Sequence, residues 1–161
     1  MGSGKTSLGK RLANRLSLDF YDLDELIEEK YKTSIPTIFE KFGESVFRNL
    51  ETDTLKETIK KDNFILSCGG GTPCFNSNME LINKHGISIY IKMNEKALAS
   101  RLKDSPKKRP LINNLTDDKL IEKITELLNQ REDFYNQAKY TINGINPDIG
   151  EIINIIQNKT D

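Results

Sequence analysis

The sequence predicts an α/β domain, a parallel sheet with helices on both sides. Three observations carry that reading. Strand-like and helix-like segments alternate along the chain. Two runs, FILSC at 64–68 and ISIYI at 87–91, are apolar on both faces, as strands buried in a parallel sheet must be. The chain also opens MGSGKTSLGK, in which glycines run straight into an amphipathic helix.

Residues 5–16 place Leu8, Leu12 and Leu16 on one helical face. LDFYDL at 18–23 reads as a short strand, and the helix after it has Asp24 as its expected cap. Ser34 caps SIPTIFEKFG, which Gly43 stops. A long helix follows over 44–61, with Val46, Phe47, Leu50, Leu55 and Ile59 at helical spacing. FILSC ends in three glycines; a helix over 78–86, the strand ISIYIKM and a helix over 95–103 come next. SPKKRPLINNLTDD has no periodicity and is expected as a loop over about 104–116. A helix over 119–138, the strand KYTIN and a helix from Pro147 complete the order. No repeat or linker interrupts it, so one domain is expected over 1–161.

The chain carries 24 Lys and Arg against 24 Asp and Glu, a formal charge of zero. That argues against unspecific attraction to nucleic acid or to a membrane surface, and no apolar run approaches the roughly 18 residues of a membrane span. Cys68 and Cys74 match no metal-site spacing, and a reducing cytosol is the expected compartment. Nothing in the pattern asks for a second copy, and a monomer is expected.

Four constellations carry chemistry. Gly4, Lys5 and Thr6 are the last three residues of a phosphate-binding loop, G-x-x-x-x-G-K-[ST], whose first glycine would fall before Met1. Gly2 and Gly4 let backbone N–H groups turn toward phosphates, and the helix N-terminus adds its positive end. Lys5 can reach the β and γ phosphates, and Thr6 can hold Mg²⁺. Alone, GSGKT fits a flexible leader equally well. The second constellation is Asp22-Leu23-Asp24. If all three lie on a strand, both carboxylates face one side at its C-terminal end, where open α/β sheets bind ligands. The third is SCGGGTP, Ser67 to Pro73, where three glycines suit close approach to the main chain. The fourth is KKRPLI, Lys107 to Ile112, which could close over a nucleotide and bring Arg109 to the transferred phosphoryl group. Arg48 and Arg131 suit a carboxylate ligand, since arginine pairs with it bidentately. The lone histidine, His85, ends a helix and is expected to be structural, so any proton acceptor is a carboxylate.

Taken in order, GSGKT, DLD, GESVFRNLE, CGGGTP, KRPLI and a following arginine on a long helix resemble shikimate kinase along nearly the whole chain. The resemblance implies the three-layer fold of P-loop NTPases, with a five-stranded central parallel sheet and a mobile lid. It implies transfer of the γ-phosphoryl of ATP to the 3-hydroxyl of shikimate, with Mg²⁺. It places Gly2, Ser3, Gly4, Lys5, Thr6 and Ser7 at the ATP phosphates, with Lys5 also stabilising transition-state charge. Thr6 ligates Mg²⁺ and Asp22 stands behind it. Asp24 binds the acceptor hydroxyl and is the base. Arg48 and Arg131 hold the shikimate carboxylate; Gly69, Gly70 and Gly71 line the site, and Phe39 and Phe47 flank it. Arg109 moves with the lid, and Arg101 and Pro147 belong to the adenine pocket.

The family also places a strand and the first loop glycine ahead of this segment, the strand lying between those matching FILSC and ISIYI. The natural start is therefore expected about ten residues upstream, room for one strand and half a loop. Without that strand the two neighbours face a gap, at about 1–3 kcal/mol per unpaired group, so the 161-residue chain should be weakly stable and bind ATP poorly. Two other readings stay open from the residues: a related kinase acting on another acceptor such as gluconate, and a non-catalytic nucleotide-binding module.

Overall fold

A computed structural model describes residues 2–103 and 116–158. The elements run α1 (Lys5–Leu16), β1 (Asp19–Asp22), α2 (Leu23–Tyr31), α3 (Ile35–Thr58), β2 (Phe64–Ser67), a 3₁₀ turn (Thr72–Cys74), α4 (Asn78–His85), β3 (Ile89–Lys92), α5 (Glu95–Lys103), α6 (Asp117–Tyr135), β4 (Tyr140–Asn143) and α7 (Ile149–Gln157). The alternation predicted from sequence is present, and both strand pairs are parallel. No described helix is long and apolar enough to cross a membrane.

Side-chain caps account for the starts of three helices. Ser34 caps α3, accepting from the Thr37 N–H, and Asp148 caps α7, accepting from Gly150 and Glu151. The cap of α2 is Asp22, whose Oδ1 accepts from the Asp24 N–H at 3.1 Å; Asp24 itself lies in the first helical turn. This corrects two expectations at once. Asp24 is not the cap, and the two aspartates do not share a strand face. Gly43 stops the first helical stretch of α3 as expected (φ 79°, ψ 173°), and the second stretch runs on from that kink to Thr58.

The sheet departs most from expectation. β1 pairs with β2 and β3 with β4, and the two pairs are not hydrogen-bonded to each other. The Asp19 N–H donates to the Asn63 carbonyl, and the Tyr140 and Gly144 N–H groups donate to Ser88 and Lys92. In a parallel ladder successive residues point alternately to either side. The main-chain groups of Phe64 and Leu66, and of Ile89 and Ile91, therefore point away from the strand partners of β2 and β3. This is the pair of edges that the resemblance implied would lack a strand between them. It also explains why residues 64–66 and 89–91 are half-buried rather than enclosed on both faces. Amide exchange should register the alternation. Leu66 and Ile91 are expected to exchange faster than Ile65 and Tyr90, and equal protection within each neighbouring pair would show that the edges are sealed.

The core follows the same division. Leu23, Ile27, Ile38, Phe47 and Leu55 form one cluster, against which Leu66, Leu81 and Ile82 pack. Leu8 and Leu12 of α1 join Ile142 and Ile152, with Ile89 and Ile91 alongside. Met93, Leu98, Ala99, Leu102, Leu120 and Ile124 close the contact of α5 with α6. α1 ties the two strand pairs together: its Gly9 lies against Phe20 and Ile65, while its leucines pack on the second pair.

Candidate active site

The glycine-rich opening forms a turn that only glycine adopts easily. Gly2 and Gly4 have φ of 73° and 81°, and α1 begins at the next residue, Lys5. Positive-φ glycines directly ahead of a helix N-terminus are the kind of backbone that can present main-chain N–H groups to an anion. Thr6, one residue into the helix, donates its hydroxyl to Asp22 Oδ2 at 2.8 Å and lies 3.4 Å from Ser67 Oγ. Asp22 and Ser67 end β1 and β2 and are both buried. The phosphate-loop threonine is thus fixed on the C-terminal ends of two parallel strands. Ser3 is half-buried and Ser7 exposed beside it.

Two residues past the strand ends, Asp24 in the first turn of α2 meets Gly69. A Cβ built on Gly69 would sit 3.2 Å from Asp24 Oδ1, 3.3 Å from Glu51 Oε1 and 3.0 Å from Thr72 Oγ1. The two aspartates do not share a strand: Asp22 holds Thr6, and Asp24 stands beside the glycine turn.

The three glycines are not a slack turn. None of Gly69, Gly70 and Gly71 has a positive φ, so their value is the absent side chain. A Cβ on Gly71 would lie 2.6 Å from Arg48 Nη2, and the Gly70 carbonyl accepts from the Tyr135 hydroxyl at 2.6 Å. Arg48 is held on four sides. Its Nη1 donates to Glu51 Oε2 at 2.8 Å and its Nη2 to Glu44 Oε1 at 2.9 Å. Its guanidinium carbon stands 4.2 Å over the Phe75 ring and 5.0 Å over that of Phe47. Glu51, 1% exposed, also accepts from Thr72 Oγ1 at 2.6 Å and so links the arginine to the glycine turn. Phe39 and Phe47 lie on opposite sides of the Gly43 break with ring centroids 4.6 Å apart. Gly71→Ala is expected to displace the guanidinium and to lower activity at least tenfold with a smaller loss of stability, read from turnover and a thermal melt side by side. Unchanged turnover would mean that Arg48 has room to move.

Arg131 lies on α6, whose Tyr135 reaches the glycine turn. Burial pushes the Cys74 thiol up, against the opposing pull of Arg131 and Arg48. Burial, helped by Glu51 and opposed by Lys5, pushes the Cys68 thiol up to about 12. Both thiols are protonated at neutral pH, so neither is the ready target for alkylation that their position beside the glycines suggests. Tyr135, one turn after Arg131, stacks on Tyr90 at 5.0 Å. Arg101 donates to the carbonyls of Ser3, Gly144 and Ile145, which brings the phosphate loop beside the segment carrying Pro147. His85 bonds the Leu81 carbonyl of its own helix, in keeping with a structural role. The expected lid, with Arg109, lies outside the described residues except for Thr116, which precedes α6.

In the sequence alone Ser67 and Thr72, inside SCGGGTP, carry no role of their own, and neither Glu51 nor Tyr135 stands out; those last two are the ones a pattern could have found. Glu51 follows Arg48 by three and Tyr135 follows Arg131 by four, which puts each on its arginine's helical face.

Comparisons with known proteins identify the family. A family model described as shikimate kinase matches residues 1–159. A shikimate kinase of Bacteroides fragilis is 41% identical over 140 residues, covering 87% of this chain and 78% of its own. One from Flavobacterium psychrophilum is 44% identical over 144 residues, covering 88% and 84%. Among solved structures, the shikimate kinase of Bacteroides thetaiotaomicron superposes with a TM-score of 0.92 at 35% identity, covering 99% of this chain and 93% of that one. That of Acinetobacter baumannii, in complex with shikimate, gives 0.86 at 33% identity, covering 99% and 89%. With a family model spanning nearly the whole sequence and relatives at these identities, the chain belongs to the shikimate kinase family.

Proposed function

We propose that this chain transfers the γ-phosphoryl group of ATP to the 3-hydroxyl of shikimate. The observation that carries the reading is a shared wall. Thr6 is bonded to the ends of β1 and β2, and the residues just beyond those ends bring Asp24 and Gly69 together. A donor held at the α1 N-terminus and an acceptor held at the glycine turn would then be adjacent, as phosphoryl transfer requires.

The residues take these roles. Gly2 to Ser7 bind the phosphates, and Lys5 neutralises charge that builds on them. Arg48 and Arg131 take the carboxylate of the acceptor, and Gly69 to Gly71 let its ring lie against the main chain, between Asp24 and the Phe39–Phe47 pair. Asp24 accepts the proton of the attacking hydroxyl as the new P–O bond forms and the bond to ADP breaks. Arg101 and Pro147 flank the adenine, and Arg109 belongs to the scheme on sequence grounds. The site suits Mg²⁺. Thr6 donates its proton to Asp22, which leaves its oxygen lone pairs for a hard cation, and magnesium in kinase sites needs only one or two protein ligands. When bound, the ion would neutralise phosphate charge. Two free cysteines suit the cytosol, and a monomer is the working unit of the scheme.

The test is ADP release with shikimate or gluconate as acceptor, with and without Mg²⁺. Shikimate-dependent release that stops on chelation is expected. Preference for gluconate would move the protein to another acceptor. Nucleotide binding with neither acceptor used would make it a non-catalytic module.

A further inference from the structure

We propose that Arg101 is a positioning residue for the phosphate loop, fixing the peptide between Ser3 and Gly4 so that the Gly4 N–H faces bound phosphate. The inference rests on the reading of GSGKT as the phosphate site.

The guanidinium leaves α5 and bridges two segments far apart in sequence. Nη1 donates to the Ser3 carbonyl at 3.1 Å, and Nη2 donates to the carbonyls of Gly144 at 3.0 Å and Ile145 at 3.1 Å. Met93 Sδ lies 3.4 Å from Nη1. Two glycines make the bridge possible. A Cβ on Gly4 would stand 3.2 Å from Nη1, and one on Gly144 would strike Met93 Cγ at 2.5 Å. The consequence follows from peptide geometry. In a planar trans peptide the C=O and the following N–H point to opposite sides. A Ser3 carbonyl held toward Arg101 therefore turns the Gly4 N–H to the opposite side, where the GSGKT reading puts the phosphates. The Gly4 carbonyl is held by the Leu8 N–H at 3.0 Å, and Arg101 holds the peptide ahead of Gly4, whose left-handed φ of 81° no side chain supports; together they keep that N–H aimed before a ligand arrives.

The role is separable from any contact with adenine. It acts on the phosphates, and it needs the planar fork rather than the charge, because one guanidinium meets three carbonyls on two segments at once. The experiment uses inorganic tripolyphosphate, which has no base, titrated calorimetrically into the 161-residue protein and its R101K and R101M variants. Both variants are expected to bind tripolyphosphate about tenfold more weakly, the scale of one well-aimed hydrogen bond to a charged group. Shikimate affinity and the thermal midpoint should stay near wild type. R101K binding tripolyphosphate as the wild type does would show that charge suffices and overturn the proposal. So would loss of ATP affinity with tripolyphosphate untouched, which would confine Arg101 to the adenine, or a matching loss of shikimate affinity, which would make it a general structural residue. A wild-type protein that binds ATP but no tripolyphosphate would fail the underlying phosphate-site reading, and this inference with it.

Discussion

Asp24→Asn is expected to lower kcat by about 10²- to 10⁴-fold while ATP affinity and the melting temperature change little. Asparagine keeps the shape of the side chain and its place in the first turn of α2. The Asp24 main-chain N–H still donates to Asp22, so the helix cap survives. What goes is a carboxylate oxygen able to take a proton beside Gly69, at the point where the acceptor must lie. No histidine stands in for it, since His85, the one in the chain, is bonded to its own helix. The measurement is a coupled assay at saturating ATP and shikimate, with binding of each substrate followed separately. A kcat within threefold of wild type would remove Asp24 from the proton's path and leave it a binding residue.

Glu51→Ala is expected to have the largest effect on stability, about 3–5 kcal/mol, because it breaks a buried ion pair from one side. Arg48 would remain nine-tenths buried with only the half-exposed Glu44 as partner, and the Thr72 hydroxyl would lose its acceptor. Affinity for the acceptor should fall as well, since the guanidinium is aimed by these contacts. Glu51→Gln, which still offers an oxygen to Thr72, should lose less stability. Urea unfolding of the three proteins, with shikimate titrations beside it, reads both effects. A Glu51→Ala protein that unfolds at the wild-type midpoint and binds shikimate normally would show that Glu44 and the aromatic rings hold Arg48 unaided.

How far the sequence could be read depends on where the information lay. The spans of α1 and α5 were legible to the residue, because amphipathic spacing and end signals are local. At the end of β1 two aspartates two apart each suit a helix cap, and only the folded main chain decides that Asp22 takes the role. Gly43 was legible as a break and so was the helix after it, because the apolar spacing over 44–61 is local as well. The motif residues announced the site through their order. Glu51, Thr72 and Tyr135 did not, because an acid, a hydroxyl and a phenol acquire meaning only from partners 3 to 65 residues away. The carbonyl partners of Arg101 are hidden for the same reason.

The separation of the strands into two pairs has a consequence for the protein in bulk. A strand edge is a template for any extended chain, and natural proteins guard it with lysine, proline or a bulge. Phe64, Leu66, Ile89 and Ile91 offer none of these on the edges of β2 and β3 that no described strand covers. The near-zero net charge supplies little mutual repulsion to keep molecules apart. The useful lifetime of a solution of this chain is therefore set by encounters between molecules as much as by the unfolding of any one of them. Dilute stocks should outlast concentrated ones at the same temperature.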